Sequence, residues 1–409
     1  MRAYGEEPWA ALLLSDGSFG AERSFLFRRP ARVLVLEAAD PRDPVEVVRA
    51  FLAERQGMVV GLGSYELGGR FEGLALARDL AWPDLILADY PAWLVFDHAG
   101  PTVEGVGDAG AWLEAASVQA GPARTGSLAA DRPPAAYEAA VADVVRRIGE
   151  GELFQANIAQ GWSGVLGEGD TPFQVFERLV ADSPSPLAAY WRLEGRALVS
   201  HSPERFLSLD ARRVRTRPIK GTRPRGDGPE ADAALATELA ASAKDRAENL
   251  MIVDLMRNDL ARVCTPGSVQ VTALNVVERF AHVWHLVSTV EGELADRCGI
   301  ADLIGATFPP GSITGAPKHQ AMQVIAELEA GPRGPWCGSL MRMAGDREMD
   351  SSVLIRTAAF VQTDGTWHWR SQAGAGITAD SDPHAERLET EAKFRALRQA
   401  LAPASSGDT

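Results

Sequence analysis

The sequence predicts a mixed α/β fold, and three observations carry that reading. Short runs rich in Val, Leu, Ile, Phe and Trp alternate with stretches of helical periodicity along the whole chain. Gly and Pro punctuate the boundaries between them. The chain has 409 residues, 46% of them hydrophobic, which is enough apolar material for a large buried core, whether in two domains or one extended unit.

Taken in order, Arg32 to Glu37 and Trp93 to Asp97 read as strands, with one helical pattern between them from Pro44 to Gln56. From Gly105 to Pro134 the composition turns to Ala, Gly, Ser and Pro, with weak periodicity from Trp112 to Ser117. A boundary is placed there, dividing an N-terminal subdomain of residues 1–130 from a larger part, 131–400, that carries the recognisable chemistry. In that part Tyr137 to Glu150 and Pro172 to Val180 are helical by spacing. Strands are expected at Leu187 to Leu193, Ala197 to Ser200, Arg205 to Leu209 and Val214 to Arg217. One long helix is expected from about Glu230 to Val263, then strands at Val269 to Ala273 and His285 to Glu291. A Gly/Pro loop leads to a helix from Pro317, strands at Met349 to Gln362 and Thr366 to Ala373, and a last helix from Pro383. There is no internal repeat.

Composition excludes several classes of function. No run reaches the 18 or so apolar residues of a membrane span, and the short stretch Ala10 to Leu14 follows Glu6 and Glu7 rather than a basic segment, so a cytoplasmic protein with no membrane partner is expected. A formal net charge of -14 argues against nucleic acid. Cys264, Cys298 and Cys337 are too scattered for a disulfide framework or a zinc site. A small anionic substrate would need locally concentrated positive charge.

Two predicted helices carry carboxylates three residues apart, on one face: Asp245 with Glu248, and Glu386 with Glu389. Four acids on two facing helices suit a hard cation such as magnesium; the same spacing suits a solvated face on which Glu389 pairs with Lys393. The turn Pro309 to Lys318 feeds a helix with Pro317 first, and its free amides, like those of Gly374-Ala375-Gly376, can bind an anion or form plain turns. Arg356 lies inside a strand-like run, where burial requires a carboxylate partner, from the protein or from a ligand. Lys220 sits in a Pro/Gly-rich turn between Arg217 and Arg223; like-charge neighbours and desolvation are how an amine becomes nucleophilic, and a surface lysine is the plain alternative.

In this order the segments resemble the chorismate-utilising enzymes, the family of the anthranilate, aminodeoxychorismate, isochorismate and salicylate synthases. The match covers roughly Tyr137 to Leu397. It rests on S-P-E-R-F at Ser202 to Phe206, P-I-K-G-T-R-P-R at Pro218 to Arg225, D-R-A-E-N-L-M-I-V-D-L-M-R-N-D at Asp245 to Asp259, and H-L-V-S at His285 to Ser288. It continues through G-S-I-T-G-A-P-K at Gly311 to Lys318, I-R-T at Ile355 to Thr357, and G-A-G-I-T-A-D-S-D-P followed by E-R-L-E-T at Gly374 to Thr390. The resemblance implies the anthranilate synthase component I-like fold, two packed β-sheets flanked by helices with the site in a cleft between them. It implies magnesium on Glu248 and Glu389, assisted by Asp245 and Glu386. It also implies substrate contacts from Thr222, Gly311, Thr314, Arg356, Gly374, Ala375, Gly376 and Lys393, with Glu204 as general acid and His285 in support.

Two positions separate the branches. The isochorismate and salicylate synthases have a water-activating lysine where this chain has Gln155, which disfavours attack by water. Anthranilate synthases typically have alanine at the position of Lys220, and lysine there marks the branch that aminates chorismate at C4 on the way to folate; anthranilate synthesis and non-catalytic chorismate binding are the rival readings. Leu14 replaces the acid of the tryptophan-responsive L-L-E-S signature, which argues against tryptophan inhibition. Gly338 to Arg342 departs from the family's G-S-I-G-Y, and Trp336 stands where many members have a tyrosine. No cysteine lies in a G-x-C-x-G elbow, so ammonia is expected from a separate glutamine amidotransferase subunit, and a downstream lyase from another separate chain.

Overall fold

The computed structural model describes residues 2–17, 23–100, 102–114, 126–182, 185–280 and 283–402. Residues 115–125 of the expected connection, Ser117 among them, lie outside that set. Among the described residues two antiparallel sheets, of eleven and ten strands, form the centre of the fold. Phe25, Phe27 and Trp191 from the larger sheet pack against Val60, Leu62 and Leu340 from the smaller one in a shared core. Each such buried side chain contributes about 1.5–3 kcal/mol by leaving water.

Helices cover the outer faces. Phe173 and Phe176 of the helix Pro172–Asp182 and Phe394 and Leu397 of the helix Pro383–Leu401 bury the larger sheet. Trp162 stacks on Phe394 at 4.1 Å between ring centroids. The helices Pro44–Ala53, Ala243–Ala261 and Ile300–Thr307 pack on the smaller sheet.

Both sheets draw strands from either side of residue 130. Ala11–Leu13 pairs with Leu187–Leu193 in the larger sheet, and Met58–Gly63 pairs with Ser339–Ala344 in the smaller one. An early strand with an open edge is closed in each case by a late one, because unpaired backbone donors and acceptors are costly to bury.

Two local departures from the expected elements shape the site. The long helix is two helices, Pro229–Ala241 and Ala243–Ala261. They break at Ser242, which is extended at φ -62° and ψ 106° and caps the second helix by accepting from the amide of Asp245. The expected strand from Met349 to Gln362 is also interrupted, by Arg356 at a left-handed φ of 50°, leaving Glu348–Val353 in one sheet and Thr357–Thr363 in the other.

Candidate active site

A cavity of about 650 Å³ collects side chains from both sheets and two helices. The strand Ile219–Pro224 supplies Lys220 and Thr222, and its register against Val283–Glu293 slips between those two residues. The bulge falls at Gly221, whose φ of 77° suits glycine and whose side-chain position would collide with Asp245 Cγ at 2.8 Å. The strand Thr366–Ile377 supplies Gly374 and Gly376. A Cβ on Gly376 would come within 2.7 Å of Gln155 Nε2 and 3.0 Å of Lys220 Nζ, so glycine there leaves room for both.

Of the residues singled out from sequence, Lys220, Glu204, His285, Thr222, Arg356, Gly374, Gly376, Lys393, Asp245, Glu248, Glu386 and Glu389 all line this one cavity. Three do not. Gly311 packs towards Leu255 and Met256, and the Thr314 hydroxyl turns back to the carbonyls of Pro310 and Gly311. The side chain of Ala375, one position out of phase with the glycines, joins the core around Tyr137 and Ile158. Ser312 and Ile313 of the short turn line the cavity in place of Gly311 and Thr314. Nor does the following helix begin at Pro317. It runs Lys318–Leu328, and Lys318 is a buried structural cation held by Asp259 at 2.7 Å and by the carbonyl of Thr307 at 2.8 Å.

Charge in the cavity is unevenly satisfied. Arg356 has no carboxylate partner among the described residues, and burial lowers its pKa. An unpaired buried guanidinium favours an anion strongly. Lys393 pairs with Glu389 at 2.7 Å and donates to the carbonyl of Gly374 at 2.9 Å, which realises the helix-face pairing that spacing allowed. Burial works against the charge of Glu389, but Lys393, and more weakly Lys220 and Lys244, hold its pKa below the usual range. Burial pushes Glu248 up, and Lys220 and Lys244 oppose that. Lys244 lies 3.9 Å from Glu248 and 3.6 Å from Glu386, and Glu386 also accepts from Ser381 at 2.7 Å.

The arginines near Lys220 in sequence are each engaged by acids. Arg217 pairs with Glu278, Arg223 with Glu238 and more distantly Asp245, and Arg225 with Asp232. The side-chain amine of Lys220 has no hydrogen bond or ion pair among the described residues and exerts its charge on Glu204, Glu248 and Glu389.

Glu204 and His285 hold protons in opposite senses. Burial raises the Glu204 carboxyl to about 7, against a hydrogen bond from Ser312 and the charges of Lys220 and Lys393. It is therefore half protonated near neutrality, as a general acid requires. Burial, and then Arg356, hold the His285 imidazole down at about 4, against a hydrogen bond that the ring donates to the Gly221 carbonyl. His285 is neutral at pH 7 and engages Thr222 Oγ1 through Nδ1 at 2.9 Å.

Sequence reasoning missed Lys244, Ser312, Asn157 and Gln372, all of which line the cavity. None stands in a spacing that announces a site. Trp336 lines it too, its buried indole N–H without a partner among the described residues.

A cleft between two packed sheets, lined by one unpaired guanidinium, an unpaired lysine and a group of carboxylates, is a site for a small polyanion. Over residues 10–399 the chain matches the family described as chorismate binding enzyme, and it belongs to that family. Among its relatives, aminodeoxychorismate synthase component 1 of Salmonella typhimurium is 43% identical over 355 residues, covering 85% of this chain and 77% of the relative. Anthranilate synthase component 1 of Thermus thermophilus is 38% identical over 416 residues, covering 95% and 89%. The crystal structure of anthranilate synthase component I from Streptococcus pneumoniae superposes with a TM-score of 0.82 at 28% identity, covering 93% of each chain.

Proposed function

We propose that this chorismate-binding enzyme aminates its substrate at C4, giving 4-amino-4-deoxychorismate, as aminodeoxychorismate synthase component 1 does. The observation that carries the reading is Lys220, a primary amine in the cavity with no partner among the described residues, close to Gly376 and acting electrostatically on the protonatable Glu204. Relatives with both names are similar to the chain, so the choice between the two reactions rests on this residue.

In the reaction, Arg356 and the Gly374 to Gly376 backbone hold one substrate carboxylate. The amine of Lys220, its ammonium proton passed to the Glu204 carboxylate, attacks C2, both ring double bonds shift by one position, and the C4 hydroxyl leaves as water with that proton. Ammonia then adds at C4, the double bonds shift back, and the C2–nitrogen bond to Lys220 breaks. The proton lost by the new C4 amine returns to Lys220, and the sum is chorismate plus ammonia giving product plus water. His285, neutral, positions Thr222 rather than supplying charge.

Magnesium is part of the proposal. Among the described residues no three Asp, Glu, His or Cys side chains stand close enough to share an ion as they lie. The donor chemistry nevertheless fits. Glu248, Glu386, Glu389 and Asp245 present hard oxygens to one cavity, and the charge balancing Glu248 and Glu386 comes from Lys244, a half-exposed side chain. Glu248 and Glu389 would hold the ion, with Asp245 and Glu386 assisting, and it would supply positive charge for the substrate's second carboxylate.

Nitrogen is proposed to come from a second chain with glutaminase activity. The "component 1" in the names of the relatives supports this, and none of the three cysteines lines the cavity. The test is product analysis of the chain with chorismate, magnesium and ammonium. A C4-amino product that retains its enolpyruvyl group is expected, and fluorescent anthranilate or unchanged chorismate would overturn the reading.

A further inference from the structure

Behind the inner wall of the cavity lies a buried ion pair that the proposed chemistry does not use. Arg333 and Glu329 are 1% and 5% exposed. Arg333 donates from Nε to Glu329 Oε2 at 2.9 Å and from Nη2 to Glu329 Oε1 at 2.6 Å. Two further donors go to main-chain carbonyls, Nη1 to Ile313 at 3.0 Å and Nη2 to Asn157 at 2.7 Å. The guanidinium also lies 5.0 Å from the ring centroid of Trp336. The Arg333 carbonyl accepts at 3.0 Å from Gln372, in the amide orientation that satisfies both ends of that side chain. Ile313, Asn157, Trp336 and Gln372 all line the cavity, and Arg333 does not.

A buried ion pair is weak as a source of stability, because desolvation of both charges offsets their attraction. What this one provides is geometry. The planar fork of a guanidinium reaches a carboxylate and two carbonyls at once, which an ammonium on a flexible stem cannot do. Glu329 is itself fixed by accepting from the amide of Ala159 at 2.9 Å, and Glu66 accepts from the amides of Arg333 at 2.7 Å and Gly334 at 3.0 Å. One end of the network therefore grips the strand Gln155–Val165, and the other grips the turn Gly311–Ile313 whose Ser312 hydrogen-bonds Glu204.

We infer that Arg333, anchored by Glu329, is a positioning residue that keeps Ser312, Asn157 and Trp336 in register around Glu204. The inference rests on reading the cavity as catalytic and concerns the rate of the chemical step rather than substrate affinity. The test uses the full chain with chorismate, magnesium and ammonium, and reads chorismate consumption, so it does not depend on which product forms. Arg333→Lys is expected to lower kcat tenfold to about a hundredfold, the scale on which small misplacements act, with KM changed by no more than about threefold.

Asp89→Ala serves as the control for stability. Asp89 is a buried acid that accepts from the amides of Gln56 at 2.7 Å and Gly57 at 3.0 Å, outside the cavity. It should lose at least about 4 °C in Tm, as Arg333→Lys does, yet keep its kcat. Ser312→Ala should reproduce the loss of kcat with little loss of Tm, and it stands in for Arg333→Lys should that variant fail to fold. An Arg333→Lys enzyme with kcat within about twofold of wild type, or a Ser312→Ala enzyme with unchanged kcat, overturns the inference. Wild-type enzyme that consumes chorismate to another product overturns the C4-amination reading and leaves this comparison standing.

Discussion

Replacing Glu204 by Gln should abolish turnover and at the same time stabilise the protein above neutrality. Glu204 is 6% exposed, and burial raises its carboxyl from the usual 4.5 to about 7. A carboxyl whose folded pKa is raised binds its proton more tightly in the native state. It therefore stabilises fully below the unfolded pKa and loses that contribution as pH rises through the folded one. The window runs from 4.5 to about 7. At about 1.36 kcal/mol for each pH unit, ionised Glu204 costs the fold about 3 kcal/mol at pH 8. Glutamine has nearly the same shape, can still meet Ser312, and carries no charge to bury. Urea unfolding of both proteins at pH 4.5, 6 and 8 measures the difference, which should be near zero at the lowest pH and reach about 3 kcal/mol in favour of the variant at the highest. A difference independent of pH, or one that favours wild type more as pH rises, refutes the assignment of Glu204 as a proton-holding buried acid. Loss of activity with a gain in stability is the pattern expected where a site is built against the preference of the fold.

Three further outcomes follow from the same geometry. Arg356→Gln removes the unpaired cation and should lower kcat/KM by about 30-fold to 150-fold, equivalent to about 2–3 kcal/mol of charge-assisted binding, most of it in KM by steady-state kinetics. Glu248→Gln and Glu389→Gln should each remove the response of turnover to added magnesium while leaving circular dichroism unchanged; full activity in EDTA contradicts the proposed metal. The chain alone should consume chorismate with ammonium and not with glutamine, and glutamate release by the single purified chain contradicts a separate nitrogen source.

The fold was legible where local pattern decides structure. Leu187 to Leu193 reads as a strand from its aromatic and small apolar run, and it is one with those bounds. Met58–Gly63 and Leu85–Tyr90 were missed because every residue in both is buried, which erases the alternation that marks a half-exposed strand. The break at Ser242 was overridden by helical spacing on both sides, although Ser242 three residues before Asp245 is a capping signal.

The site was legible where a residue reaches the cavity with its own side chain, as with Lys220, Glu204 and Arg356. It was not legible where the partner is distant in sequence. Arg217 and Arg223 flank Lys220 in sequence, yet Glu278 and Glu238 engage them, and neither pairing has a local signature. Arg333 has none either, since its worth lies in carbonyls at Ile313 and Asn157.

The central claim, that Lys220 directs this family member to C4, is tested most directly by the intact mass of the enzyme held with chorismate and magnesium in the absence of ammonia. A covalent adduct that maps to Lys220 and disappears when ammonium is added is the predicted result. An enzyme that shows no adduct, and whose Lys220→Arg variant turns over normally, contradicts it, because a guanidinium cannot serve as that nucleophile.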